Sequence, residues 1–429
     1  MHHSLDSALG RDIRLNRIGE TINSIATPTA AYSLRSLTGG DPLAVRVRRS
    51  SNDASAEKDF TVSGINSGAL LNHINEDVIT EQSDFTSGVD SYARDSHGTV
   101  SREASFEGKS DVLKYEFAST GRFAIDKSSV ALDHTSSYTI SFEYYADTAY
   151  NGKFWGVETS FAGRVSASNT PAVVSDAWTS VTLNVPSGRT TGVTSLHIRL
   201  QDGTNDTVGL TGIIANVRFK NIVVTQTTGS GFVTIWYDQS GNGNNATQTD
   251  TDKQPAIASN GSLLADGLTF DGTNDSLSSS SGVNFTSSDD LSAFLVSNLD
   301  SASGQNPIVS QSDGTGTGRS IIETGSTINT FIGGSEQNFG SASASQSIIT
   351  LLYDDSANTL DAFKNGSQSG SQKTSITAEA ASGALNIAKN KAGSQFFDGK
   401  INEVIIYLSD QTDNRAALES NIISHYSIS

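Results

Sequence analysis

Asp238, Ser240 and Asn242 put oxygen-bearing side chains at alternate positions of one short loop, followed by Gly243, within TIWYDQSGNGNNATQ (234–248). Alternate oxygens of this kind converge on calcium in Asp-x-Ser-x-Asn-Gly loops, which makes these three the candidate ligands for calcium. The distal glutamate that closes such a loop is replaced by Thr249. A tight corner uses the same residues differently: Asp238 accepts backbone N–H groups, Gly241 and Gly243 supply positive φ, and Trp236 packs in a core. Both readings stand at the level of sequence.

Aromatic rings offer a second chemistry, because apolar sugar faces stack on rings while amides and carboxylates bind the hydroxyls. Trp155, Tyr144, Tyr145 and Tyr150 fall close together and are the candidate carbohydrate-binding residues. Strand alternation sends Tyr144 and Tyr145 to opposite faces, one for a core and one for a ligand. Trp178, in AWTSVTLNV, is expected as a core anchor. Acid–base chemistry would need a pair of carboxyls, and Asp271, Asp275, Asp354, Asp355, Asp361, Asp398 and Glu403 are available. Single aspartates beside Gly or Asn are turn formers first. The histidines are scattered without metal-ligand spacing, and with no cysteine there is no thiolate site, disulfide or thiol nucleophile.

The net charge of -18 is spread along the chain, which disfavours nucleic acid and anionic membrane surfaces as partners. No apolar run reaches the length of a membrane span, so no membrane insertion is expected. The first 25 residues alternate charged and apolar side chains where a signal peptide needs an apolar core, so a soluble chain made in the cytoplasm without conventional export is expected.

The elements that must position these residues are strands. Abundant Gly, Ser, Thr and Asn between short alternating runs predict an all-β chain of two β-sandwiches, one inserted in the other. Residues 1–25 read as an N-terminal helical arm: Leu15, Ile18, Ile22 and Ile25 share one stripe before Pro28, either packed on their own domain or docked on a partner. Residues 26–63 and 229–429 read as a discontinuous sandwich with Asp-Gly and Asn-Gly corners. Residues 64–228 read as an insert of evenly spaced strands such as SSYTISFEYYAD and ANVRFKNIVVTQ. DNRAALESNIISHY reads as a closing helix capped by Asp413, with Leu418 and Ile422 on one face.

Three separated stretches, AAYSLRSL…AVRVRRSSNDASAEKDF, GFVTIWYDQSGNGNNATQ…QPAI and FFDGKINEVIIYLSDQTDNRAALESNIISHY, resemble the catalytic domain of α-L-arabinofuranosidase B in the same order. The resemblance implies a concanavalin A/laminin-G-like sandwich, to which GLTFDGTNDSL is also similar. The insert resembles carbohydrate-binding jelly rolls, whose entry pattern DFTSGVDSYARDSHGTVS is similar to. The family's acid/base aspartate is expected a little before Phe396 and Phe397, where this chain has Lys389, Asn390 and Lys391, and the family's cysteine pair is missing. The resemblance therefore implies the sandwich without the hydrolysis.

A lectin-like sandwich joined to a carbohydrate-module-like one, without cysteine or an export signal, leads to an expectation of a bacteriophage virion protein. It would be a tail fibre, tailspike or head decoration, oligomeric, binding host surface polysaccharide without cleaving it and attached to other virion proteins by its arm. A glycoside hydrolase of arabinofuranosidase type and a purely structural virion protein are the alternatives.

Overall fold

The computed structural model describes residues 20–49, 57–75, 78–94, 98–117, 123–132, 137–159, 171–186, 193–201, 215–227, 229–300, 305–312, 318–325, 327–332, 336–378, 380–381, 383–390 and 392–429. Leu15, Ile18 and Lys391 lie outside these residues.

Runs such as AFLV, IITLLY and VIIY are apolar at nearly every position, a pattern strands adopt when both faces are covered. Leu291–Leu299 is such a strand, paired antiparallel on one side with Ser347–Asp354 and on the other with Asp398–Tyr407. Ala30–Ser33 extends the layer along Asp398–Tyr407. One face buries Ala293, Leu295, Ile349, Leu351, Val404 and Ile406 against Val45, Val47, Val233 and Trp236 of an opposing layer that includes Leu43–Arg49 and Gly231–Trp236. The other face buries Phe294, Val296, Ile348, Ile405 and Tyr407 under Leu418 and Ile422 of the C-terminal helix Arg415–Tyr426.

The helix starts differently from expectation. Its cap position is Asn414, not Asp413, and the Asn414 amide donates to Gln411 Oε1 at 2.8 Å instead of capping the helix.

Every strand of this larger sandwich comes from residues 30–61 or 231–407. The strands between them form two further sheets. One has four strands, in the order Phe154–Thr159, Val193–Gln201, Phe123–Leu132, Tyr92–Arg94. The other has six, with Thr179–Val185, Tyr138–Ala146, Ala215–Gln226, Lys109–Phe117 and Gly98–Phe106 in that order and Val78–Ser83 added along Ala215–Gln226. Their inner faces share a second core, in which Tyr115, Phe117, Ile140 and Phe142 meet Ile125, Leu196 and Ile198. The chain is thus all-β sandwich with a C-terminal helix.

Two boundaries differ from expectation. Residues 62–74 form the helices Val62–Asn66 and Ala69–Ile74, which bury Ile65, Leu70 and Ile74 in the core of the larger sandwich. Ile22–Ile25 is a single helical turn closed by a Thr21/Ser24 capping box. Ile22 is 0% exposed and packs in the cluster beneath the C-terminal helix, so this part of the predicted arm belongs to the domain.

The two connections to the insert meet. The Gly229 N–H donates to Asn75 Oδ1 at 3.3 Å, and the Asn75 amide donates to the Gly261 carbonyl at 3.0 Å. A β-carbon on Gly229 would lie 2.3 Å from the Ile74 carbonyl oxygen, so only glycine allows the two connecting segments to come this close.

Candidate functional site

Alternation along Tyr138–Ala146 buries Tyr138, Ile140, Phe142, Tyr144 and Ala146 and turns Tyr145 outward. The hairpin between Gly98–Phe106 and Lys109–Phe117 turns on Glu107 and Gly108, both at positive φ, and presents Phe106. Its ring meets Tyr145 edge-on, with centroids 5.0 Å apart and planes at 80°. Trp178 leads into Thr179–Val185 in the opposite phase to the buried Val181, Leu183 and Val185, so it shares the outer face. It stands 6.0 Å from Tyr145 and 6.5 Å from Phe106. The indole N–H of Trp178 finds no hydrogen-bond partner among the described residues.

Charged groups frame these rings. Arg218, the cross-strand partner of Tyr145, lays its guanidinium 3.6 Å over Phe106. Its Nε is 2.8 Å from Glu103 and its Nη1 3.5 Å from Asp147. Lys109 lies 6.0 Å over the Trp178 ring and 2.5 Å from Glu143, which also accepts from the Asn221 amide at 2.9 Å. The Lys109 hydrogen bond holds the Glu143 carboxyl below its usual range, leaving an ionised acceptor. Partial burial, then Asp176, Glu107 and Asp147, push the Tyr145 phenol up, so it keeps its proton. The result is a surface of fixed rings edged by donors and acceptors, the arrangement that stacks a sugar and orients its hydroxyls.

The other sequence-predicted aromatics lie elsewhere. Trp155 and Tyr150 are 0% exposed and Tyr144 is 1% exposed. Trp155 is enclosed by Tyr144, Phe142 and Phe219 at centroid distances of 4.7, 5.0 and 5.6 Å. The Tyr144 hydroxyl accepts from the Val174 N–H at 2.8 Å, and the Tyr150 hydroxyl donates to the Ala215 carbonyl at 3.1 Å. These ring faces are covered by core partners, which leaves Tyr145 as the sequence candidate on an open face. Trp178 takes the reverse correction, from core to surface.

The Asp238 loop is a clamp. Asp238 Oδ1 accepts the backbone N–H groups of Ala31 and Ser240, each at 2.9 Å. Its Oδ2 accepts the Ser240 hydroxyl at 2.7 Å and the Asn244 N–H at 2.9 Å. The Asn242 amide donates to the Thr29 carbonyl at 3.0 Å, and Gly241 and Gly243 adopt φ of 89° and 75°. The loop thereby fastens residues 28–31 beside the strand Gly231–Trp236. Both carboxylate oxygens are occupied by donors and Asn242 turns its amide nitrogen to a carbonyl, so these residues do not fit calcium. No group of three or more histidines and carboxylates suited to a metal occurs among the described residues.

At the place expected for a glycosidase acid, Lys389 is half-buried, its amine pushed down by burial and then by Lys253. The side-chain Oδ1 of Asn390 accepts the Ser394 N–H at 2.9 Å, a turn-forming bond. Neither supplies a carboxyl proton. Asp271 and Asp398 are cross-strand partners, and Asp275 lies nearby with its pKa pushed up to about 7 by burial and then by Asp271. Asp271 Oδ1 accepts the N–H groups of Thr273 at 2.9 Å and Asn274 at 3.1 Å, the geometry of a turn former.

No protein-family model matches this chain and no curated protein matches it. Solved structures show slight likenesses over about a third of it. One is to the CBM22-1–GH10 modules of Clostridium thermocellum xylanase 10B complexed with xylohexaose, with a TM-score of 0.28 and 14% identity over 34% of this chain and 28% of that chain. A second is to the CBM22-1 xylan-binding domain of Paenibacillus barcinonensis Xyn10C, with a TM-score of 0.27 and 13% identity over 35% and 96%. A third is to an arabinose-bound α-L-arabinofuranosidase, with a TM-score of 0.28 and 15% identity over 36% and 28%.

Proposed function

We propose that this chain binds glycans through the outer face of its six-stranded sheet, and that it does so as a surface protein of a bacteriophage virion contacting host polysaccharide without cleaving it. The observation that carries the binding is the outward cluster of Phe106, Tyr145 and Trp178, held edge-to-face and edged by Arg218, Lys109 and Glu143. Rings that already fix one another lose little freedom when a sugar stacks on them. Lys389 and Asn390, standing where the resembled enzymes carry an acid, support a reading without cleavage. The virion role is motivated by the lectin-like pairing of sandwiches in a cysteine-free, acidic chain.

A glycan array probed with the full chain, with Tyr145→Ala and with Trp178→Ala tests the reading. Saturable hits lost in both variants at unchanged melting temperature support it. Hits that survive both substitutions, or steady release of reducing sugar from a bound polysaccharide, overturn it. Immunogold labelling of purified particles tests the virion placement, and particles without label would reject it.

A further inference from the structure

A cleft of about 420 Å³ opens in the larger sandwich, away from the rings described above. Leu268–Asp271 pairs with the start of Asp398–Tyr407, its Asp271 end running toward the Lys389–Phe396 bridge and its Leu268 end toward the cleft. Its lining includes the aliphatic Val62, Ile65, Ile257 and Leu263, the polar Arg35, Asn66 and Asp266, and His425 and Tyr426 of the C-terminal helix.

The back wall is rigid and its charge is already matched. Glu403 is 0% exposed and takes Arg35 Nε and Nη2 at 2.7 and 2.9 Å, the Ser33 hydroxyl at 2.8 Å and the Tyr426 hydroxyl at 3.1 Å. Arg35 also donates through Nη1 to Asn421 at 2.7 Å. Its positive charge is thus already answered, while Asp266 is exposed. A cleft of this balance, in a chain of net charge -18, disfavours an anion. The backbone here is held in place: Ala265 and Asp266 have φ of 53° and 31°, the Asp266 carbonyl accepts from the Asn402 amide at 3.0 Å, and a β-carbon on Gly267 would lie 2.8 Å from the Ile401 carbonyl oxygen. Positive φ in successive non-glycine residues persists only where the surroundings enforce it.

From the aliphatic lining, the neutralised guanidinium and the free carboxylate we infer that this cleft binds a neutral N-acetylated hexosamine residue. The acetyl methyl sits on Ile65 and Leu263, the acetamide oxygen accepts from Arg35 or Asn66, and ring hydroxyls donate to Asp266. The site does not depend on the outer aromatic face, and either can be lost without the other.

The test titrates the full chain with N,N′-diacetylchitobiose, cellobiose and N-acetylneuraminic acid by calorimetry and saturation-transfer NMR. Saturable binding of the diacetylated disaccharide is expected, with the strongest saturation at its acetyl methyls and roughly tenfold weaker binding of cellobiose. Asp266→Ala and Leu263→Arg should each weaken it, while Trp178→Ala should not. Should Leu263→Arg lower the melting temperature, the exposed Asp266→Ala decides alone. The inference is overturned by no saturable binding of the diacetylated disaccharide, by equal binding of cellobiose, by preferred binding of the sialic acid, or by binding that Trp178→Ala abolishes and Asp266→Ala leaves intact.

Discussion

Trp178 and Tyr145 lie 6.0 Å apart on the outer face of one sheet, while Tyr144, one residue away, touches Trp155 at 4.7 Å in the core beneath. The sheet thus separates a partly exposed tryptophan from one committed to packing. Substitution should separate them as cleanly. Trp155→Ala is expected to cost about 3–5 kcal/mol of stability through the cavity it leaves. Trp178→Ala should change stability by well under half of that and abolish glycan binding. Urea unfolding of both variants beside a binding assay checks this, and equal destabilisation by the two would contradict it.

Ile22 is fully buried beneath the C-terminal helix, and the Asn421 amide of that helix donates to the Glu20 carbonyl at 2.8 Å. Removal of residues 1–25, which takes Glu20 and Ile22 with it, should therefore lower the melting temperature. Ile22→Ala should cost about 2–5 kcal/mol. Calorimetry of the truncated and substituted chains reads both numbers directly.

Asp238 joins Ala31, Ser240 and Asn244 through its two carboxylate oxygens. Asp238→Ala should lower stability by about 2–4 kcal/mol, since buried N–H donors lose a charged acceptor. Calcium or a chelator should leave the wild-type melting temperature where it is. A calcium-dependent rise lost in Asp238→Ala would restore the ion-binding reading.

Asp275 is 8% exposed, and burial followed by Asp271 raises its pKa from 3.8 to about 7. The folded state then binds this proton where the unfolded state has released it. The group's stabilising contribution is full below about pH 4 and is lost as pH rises through about 7. The loss is on the order of 2–4 kcal/mol, at 1.36 kcal/mol for each unit of pKa difference. Unfolding free energies of wild type and Asp275→Asn, from urea titrations across this range, should diverge by that amount. Parallel curves would show that the carboxyl titrates as in water.

We further expect residues 78–227, whose core from Phe85 to Val224 shares no residue with the larger sandwich, to unfold cooperatively when expressed alone. Thermal unfolding followed by near-ultraviolet circular dichroism checks it, and a broad non-cooperative transition would count against an autonomous module.

Much of the fold was legible because period-two patterns and unbroken apolar runs report burial directly. SIITLLYDD and KINEVIIYLSD were legible as strands, and the structure buries both of their faces. The phase of Trp178 was legible too: Val181, Leu183 and Val185 mark the inner face, and Trp178, expected as a core anchor, is out of step with them. Other parts rest on contacts that no local window carries. Phe106 and Arg218 meet across 112 positions of chain, as their numbers show, and only the folded sheet brings the guanidinium onto the ring. Residues 64–74 read as the start of the insert because the pattern of the first sandwich breaks there. Their burial of Ile65 and Leu70 depends on a core assembled from both ends of the sequence.

Asn75 and Gly229 have a consequence for how such a protein can change over time. Because the chain leaves and re-enters the larger sandwich at one hydrogen-bonded crossing, everything from Val78 to Thr227 hangs from a single hinge-sized doorway. Recombination that cuts on either side of that doorway would exchange the whole inserted module for another of different length, while the host scaffold kept its core. The glycine at the crossing, which no larger residue can replace without displacing Ile74, would mark the seam in any descendant of such an exchange.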